Sequence, residues 1–585
     1  MQKKIIPFLF LTLIFSGCKE KNSDKPEASA DAAFQELSEG YISGLFGFHP
    51  TYAVALGIHA YDGKLADYSK ASIDRELVWL KEYDQKLGTI DTSALSKKIF
   101  YDYRILNNEI KSEIFSTVDL GSYTKNPMNY AGAIDVNTYI KRDFAPIENR
   151  LRSIISIENQ APRLFEQAKA NLQDSLAKPF IDMAILIAKG SASFLGNDLI
   201  TALKDVKNDT LMASFKESNK KAMDAINGFI VFLQKEKLPK AHNHYAIGRE
   251  NYQKMLFYDE DISLTPEKIL EIGMAELKKE QESFNAAARI INPDKKPVEV
   301  YNDLENEHPT AADLIPSAKK TMESIRQYLI DKKIVSMPSQ VRVQVKEMPP
   351  YARETGSASM DTPGPFETKG TEAYYYITPV DLKWTTTQQN DWLRQFNYYT
   401  TDVVTIHEAY PGHYTQFLHL NASSTTRIEK IFPSYAYVEG WAHYCEKMML
   451  DEGYGNNGDS VRAAKFRLAQ SGDALLRLCR LCVSVRTHCQ GMTVDEATKF
   501  LMDNWYQGDK PSRQEALRGT FDPGYLFYTI GKLEILKLRT DYQKQEGANF
   551  SLMKFHNLML DNGMPPIRLL RELLLTDKST WGDIL

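Results

Sequence analysis

Cysteine is scarce in this chain of 585 residues: there are five, and one of them stands at position 18. The other four are no disulfide framework, so the fold must be held by its core. A surplus of charge is also missing, since 71 Lys and Arg face 76 Asp and Glu. The net charge of −5 offers neither a basic surface for nucleic acid nor an acidic tail. Internal repeats at periods of 20–50 residues are absent, as is a dinucleotide-type glycine loop. What remains is an ordinary globular composition, 43% hydrophobic and 11% aromatic, with ample material for a large core. At about 150 residues per domain the length allows roughly four domains, or one large unit.

The start of the chain sets the compartment. Met1–Cys18 reads MQKKIIPFLFLTLIFSGC, two lysines followed by an apolar run and small residues before a cysteine. The run Ile5–Phe15 falls short of the ~20 residues a membrane-spanning helix needs. Residues 1–17 therefore read as a secretory signal, and Phe15-Ser16-Gly17-Cys18 resembles the bacterial lipobox, with Phe15 where that motif usually has Leu. Cys18 is the expected lipidation site, residues 18–33 a polar tether, and 34–585 one large domain. The expectation is an exported bacterial lipoprotein, anchored at the periplasmic face or the cell surface.

The domain reads as mainly α. Leu151, Ile154, Ile155 and Ile157, then Leu164, Ala168 and Leu172, recur at three- and four-residue spacings. Ala184–Leu195 is apolar enough for a central helix, and Thr265-Pro266-Glu267 is a cap followed by proline at the first helical position. Cys479 and Cys482 have CxxC spacing, but they lie inside a helical pattern without a second pair and read as buried apolar residues. A helical N-terminal half, about 34–290, precedes a different half, about 291–585. In the second half Gln340–Met348 alternates with period two and Ala373–Thr378 is strand-like in composition. Arg353–Lys369, rich in Gly, Ser, Thr and Pro, reads as a loop. These features predict a small antiparallel sheet beside the segment that follows. The Tyr374–Tyr376 strand reads as core, with an edge on which an extended peptide could align.

That segment carries the chemistry. Of eleven histidines, four lie between positions 407 and 443. His407-Glu408 followed by His413 suits a zinc hydrolase, in which two imidazoles bind the metal and a glutamate activates water. The spacing is irregular, however. Residues six apart on a regular helix lie about 240° round, nearly on opposite faces. Pro411 resolves this, because it has no N–H for the carbonyl of His407 and its ring clashes there. Gly412 then permits a turn, so a kink can return His413 to the side of His407. Downstream, Glu439, His443 and Glu446 share one helical face. Glu439 is the candidate third ligand, His443 a rival on spacing, and Glu446 is free to hydrogen-bond a ligating histidine.

His407-Glu408-Ala-Tyr-Pro411-Gly412-His413 and Glu439-Gly-Trp-Ala-His-Tyr-Cys-Glu446 resemble the HExxPGH and EGWxxYxE motifs of the bacterial "domain of unknown function 885" family. That family is grouped with gluzincin-type metallopeptidases, and many members are secreted lipoproteins. The resemblance implies one zinc ion held by His407, His413 and Glu439, with Glu408 as general base. It also implies a gluzincin-like multi-helix fold around a deep cleft. The family usually has an apolar residue where this chain has His443, which argues against that ligand. Later segments resemble Arg477…His488 and Arg518…Pro523…Tyr528…Gly531…Arg539.

Tyr528 and Arg518 are candidates to stabilise an oxyanion, and His488 is a candidate substrate contact. His419 reads as a hydrogen-bonded structural residue. The expected activity is zinc-dependent hydrolysis of oligopeptides. The alternatives are another amide or ester as substrate, or a non-catalytic peptide-binding lipoprotein. The partners implied are a peptide or small amide and a membrane, without nucleic acid; nothing in the sequence fixes an oligomeric state.

Overall fold

The computed structural model describes residues 29–349, 353 and 357–585. The signal peptide, Cys18 and the tether up to residue 28 lie outside the described residues. The chain is mainly helical. In the N-terminal part, helix α1 spans Lys97–Phe115, α2 Ile147–Asn171 and α3 Asp209–Phe232. The three- and four-residue spacing noted above becomes the buried stripe of α2, where Leu151, Ile154, Ile157, Leu164 and Ala168 meet Phe215, Ile226 and Phe229 of α3. The apolar stretch 184–195 is only partly central. Ala184, Ile185 and Ala188 are buried, whereas Leu186 points outward, 62% exposed.

Helix α4, Arg249–Glu260, leads to α5, Pro266–Ile291. Thr265 caps α5 by accepting from the Lys268 N–H, with Pro266 at the first position, a cap that contributes about 1 kcal/mol. Five further helices surround the histidine segment: α6 Tyr398–Glu408, α7 His413–Ala422, α8 Tyr435–Asp451, α9 Ser460–Gln490 and, after a shorter helix, α10 Asp509–Phe521. Helix α11, Phe527–Glu546, follows. Helix α9 lies along α5 and is buried for most of its length. Cys479 and Cys482 sit on it as free, fully buried thiols, which is the apolar role expected of them.

The sheet differs from expectation. It has three strands, β1 Gln344–Glu347, β2 Ala358–Asp361 and β3 Tyr374–Ile377, in the order β1-β3-β2. It is mixed rather than antiparallel: β3 pairs parallel with β1, Val345 opposite Tyr375, and antiparallel with β2, Met360 opposite Tyr375. The cause is β2, which lies within the polar segment that reads as loop. The chain reverses between β1 and β2, so a strand inserted between them must run parallel to one of the two. Because β3 is central, both its edges are taken, and the Tyr374–Tyr376 strand has no edge to offer a peptide.

The sheet rests against the histidine segment. The Tyr414 hydroxyl donates to the Val341 carbonyl at 3.2 Å, and Tyr410 accepts from the Val343 N–H at 3.5 Å. On the other side α8 crosses α11 almost backbone to backbone. A Cβ on Gly531 would lie 1.8 Å from the Ala436 carbonyl oxygen, and one on Gly440 would lie 2.5 Å from Gly531 Cα. These two glycines allow the approach that places Tyr528 near Glu439.

Candidate metal centre

The regular helix stops at Glu408 and a new one starts at His413, as the Pro411-Gly412 pair predicts. Between them the Tyr410–Pro411 peptide is cis, and the Gly412 N–H reaches the Ile406 carbonyl at 3.0 Å. A Cβ on Gly412 would lie 1.7 Å from the His407 carbonyl oxygen, so only glycine fits this approach. The break brings the two imidazoles together, edge to face, with ring centres 4.8 Å apart.

Glu439, from α8, completes the group. Its Oε2 lies 3.5 Å from His407 Nε2 and 3.6 Å from His413 Nε2. That oxygen is buried and accepts no hydrogen bond within the usual limits. Such an orphaned carboxylate oxygen between two imidazole nitrogens calls for a cation. The spacing suits zinc, since ligands ~2.1 Å from a tetrahedral ion stand about 3.4 Å apart. Two histidines and a glutamate are a donor set that leaves a fourth position open. The residues present therefore fit the ion implied by the motif.

A second layer holds these ligands in place. The His407 Nδ1–H donates to Glu446 Oε1 at 2.8 Å, which fixes the tautomer with Nε2 free towards Glu439. Burial alone would lower the His407 pKa, but Glu439 and Glu446 outweigh it and push it up to about 10. Burial opposes the charge on Glu446, yet Arg477, His443 and His407 hold its carboxyl well below the usual range. The Arg477 guanidinium lies 3.3 Å from Glu446 and also pairs with Asp473. His443 donates from Nδ1 to Glu446 Oε2 at 3.0 Å, and its Nε2 faces Lys532 Nζ at 3.4 Å. With both nitrogens engaged and the ring fully buried, His443 is not a ligand. Glu408 stands beside the trio on α6, half-buried, and among the described residues it has no hydrogen-bond or ion-pair partner.

The remaining candidates divide. Tyr528 faces the site, where its phenol is held up first by burial and then by the Glu439 charge, partly offset by Tyr435, Arg518 and Arg477. It therefore keeps its proton at neutral pH. Arg518 lies near Tyr528 and Tyr435, but Asp522 binds its guanidinium at 2.9 and 3.0 Å. His488 belongs to the scaffold: Nε2 donates to the Gly519 carbonyl at 2.8 Å and Nδ1 accepts from the Ile247 N–H at 3.3 Å. Burial lowers its pKa to about 4. A substrate contact would have to displace one of those bonds, so the geometry speaks against the role expected of it. His419 likewise uses both nitrogens, on Asp561 and the Ser336 carbonyl.

Sequence reasoning missed Tyr435 and gave Arg477 no role. Tyr435 lies one helical turn before Glu439 on the same face, with its ring 5.7 Å from that of Tyr528. Arg477 stacks over Tyr528 at 5.6 Å while it reaches Glu446, joining the two layers. The i, i+4 spacing from Tyr435 to Glu439 was the available signal for the first.

Comparison with known proteins adds a family and a fold. The profile of the family "Bacterial protein of unknown function (DUF885)" matches residues 50–574. A solved structure from Shewanella oneidensis, described as a candidate lipoprotein of unknown function, is 26% identical with a TM-score of 0.77, over 92% of this chain and 99% of that one. A second candidate lipoprotein, from Colwellia psychrerythraea, shares the fold at 17% identity and a TM-score of 0.76, over 95% of this chain and 99% of its own. No curated protein matches.

Proposed function

This chain belongs to the DUF885 family of bacterial proteins of unknown function, and we propose that it is a zinc-dependent hydrolase, a gluzincin-type metallopeptidase acting on oligopeptides. One observation carries the reading: the orphaned Glu439 Oε2 between His407 and His413, with Glu408, next to His407, unpaired among the described residues. His407, His413 and Glu439 would hold the metal. When bound, the ion lowers the pKa of a water and polarises a carbonyl oxygen. Glu408 takes the proton from the attacking water and returns it to the departing amine. Tyr528, still protonated, donates a hydrogen bond to the oxyanion that forms on the substrate, with Tyr435 orienting it. Arg518, already tied to Asp522, plays the smaller part. Binding alone would not require a free carboxylate at Glu408, which favours an enzyme over a peptide-binding protein.

The resemblance to two candidate lipoproteins supports a chain tethered through Cys18, with the hydrolytic domain at a membrane surface. The reading is tested by metal content and by turnover of a peptide library. Wild type should bind one zinc and cleave; Glu408→Gln should keep the zinc and lose at least about a hundredfold in rate. Turnover that survives in Glu408→Gln would end the mechanism, and tight zinc without turnover in wild type would end the enzyme.

A further inference from the structure

Helix α11 sends a lysine into the core beside the candidate metal centre. Lys532 follows Gly531 at the close crossing with α8, where a Cβ on Gly440 would lie 2.8 Å from the Lys532 nitrogen. The side chain that leaves this crossing is buried, 5% exposed. One helical turn past Gly440 stands His443, whose Nε2 lies 3.4 Å from Lys532 Nζ. Among the described residues this ring nitrogen is the one hydrogen-bond acceptor of Lys532, and no carboxylate forms an ion pair with it. A buried cation without an ion-pair partner is a costly arrangement, and packing alone would be better served by methionine or leucine.

Glu446 fixes where the protons lie. Burial opposes its charge, but Arg477, His443 and His407 keep it ionised, so its oxygens only accept. Each takes the Nδ1–H of one imidazole, Oε1 from His407 at 2.8 Å and Oε2 from His443 at 3.0 Å. His443 is neutral, because burial and then the Lys532 charge push its pKa well down. With its single proton on Nδ1, its Nε2 is a bare lone pair that only a donor can face, and Lys532 is that donor. Lys532, His443, Glu446 and His407 thus form one directed line of hydrogen bonds. It ends at His407 Nε2, 3.5 Å from Glu439 Oε2. No member is more than 6% exposed, so bulk water is not at hand to replace a missing link.

We propose that Lys532 is a positioning residue of the metal centre: through His443 and Glu446 it holds the His407 imidazole in the orientation and tautomer that bind the ion. The inference rests on the metal-centre reading and extends it to two groups that touch none of the three ligands. Two effects of opposite sign compete here. As a bare charge Lys532 repels a divalent cation, so its removal would tighten zinc binding. As a positioning group it holds a ligand, so its removal weakens zinc binding, and the second effect is the larger.

The test is the zinc dissociation constant of the full chain, measured by competition with a chelator for wild type, Lys532→Met, His443→Leu and the double variant. Lys532→Met should bind zinc about tenfold more weakly than wild type, and His443→Leu at least as weakly as that. Because the lysine acts through the ring, the double variant should bind no more weakly than His443→Leu alone. The visible absorption spectrum of the cobalt(II)-loaded chain should also change in both single variants, which a loss of stability alone would not cause. Lys532→Gln, uncharged and too short to keep the contact, serves if Lys532→Met folds poorly. Zinc held as tightly as in wild type, or more tightly, with an unchanged cobalt spectrum, overturns the role. Penalties that add in the double variant overturn the route through His443. Wild type that binds zinc and cleaves no peptide ends the hydrolase reading while the four constants still decide this one; wild type that binds no zinc ends both.

Discussion

The indole Nε1–H of Trp441 donates to the carbonyl oxygen of Pro411 at 2.9 Å. With the His407–Glu446 bond it ties the two motifs together, because Trp441 sits two residues after Glu439 and Pro411 two before His413. Loss of a buried donor leaves the Pro411 carbonyl unsatisfied, at a cost of about 1–3 kcal/mol. Trp441→Phe should therefore lower the melting temperature and weaken zinc binding about tenfold, measured by competition with a chelator. Unchanged zinc affinity would show that the break holds its shape unaided.

Gly412→Ala tests the break itself. The added Cβ meets the His407 carbonyl oxygen at 1.7 Å, and neither partner is a flexible side chain. The backbone must part, at a cost of roughly 1–3 kcal/mol, and His407 and His413 move with it. Metal analysis of the purified variant should find far less than one zinc per chain, even where circular dichroism shows native helix content. Stoichiometric zinc in a folded Gly412→Ala protein would contradict the geometry.

Glu446 fixes His407 without touching the proposed ion. Substituting glutamine removes the charge that Arg477, His443 and His407 all share. A supporting carboxylate of this kind is worth about 10–100-fold in metal affinity. Glu446→Gln should lose zinc affinity in that range and also destabilise the fold, since Arg477 would keep only Asp473 as its ion-pair partner. Equal zinc dissociation constants for variant and wild type would remove Glu446 from the site.

Much of this arrangement was legible in the sequence because its chemistry is local. Pro411 and Gly412 announce a broken helix through backbone rules alone, and the outcome follows them. Glu439 and Glu446 share a face by helical period. The sheet was misread where composition competes with context: Ala358–Asp361 is polar and lies among glycine and proline, yet it becomes a strand by pairing with β3. Long-range partnerships were invisible. Nothing adjacent to His488 in sequence reveals that the Gly519 carbonyl and the Ile247 N–H claim its ring, and nothing near Arg477 marks it as the link between Glu446 and Tyr528.

Glu109 gives a pH dependence with a definite direction. Its carboxyl is raised from the ordinary glutamate value of 4.5 to about 8 in the folded chain, first by burial and then by Glu113 and Asp259. Between those values the unfolded chain has released the proton while the folded chain retains it. The folded state therefore binds more protons, and stability falls as pH rises through the window, by up to about 1.4 kcal/mol per unit for one site. Glu109→Gln removes that decline. The melting temperature of the variant should match wild type near pH 4.5 and exceed it increasingly towards pH 8. A constant difference across the range would show that Glu109 titrates normally.

Tyr528 separates transition-state stabilisation from binding. Its phenol keeps its proton through burial and the Glu439 charge, and it lies beside the proposed zinc ligands without being one. A donor aimed at the oxyanion acts only once the tetrahedral species forms, so its removal should lower kcat by roughly 10²–10³ and leave KM nearly unchanged. Tyr528→Phe preserves the ring that Arg477 and Tyr435 pack against, and zinc content should stay at the wild-type level. Tyr435→Phe should cost less, because it only frees the Tyr528 hydroxyl to rotate. If Tyr528→Phe instead raises KM with kcat intact, the phenol binds substrate in the ground state and the oxyanion role passes to another donor. Arg518 is the next in line, and Asp522→Asn, which loosens its guanidinium, should then raise the rate rather than lower it.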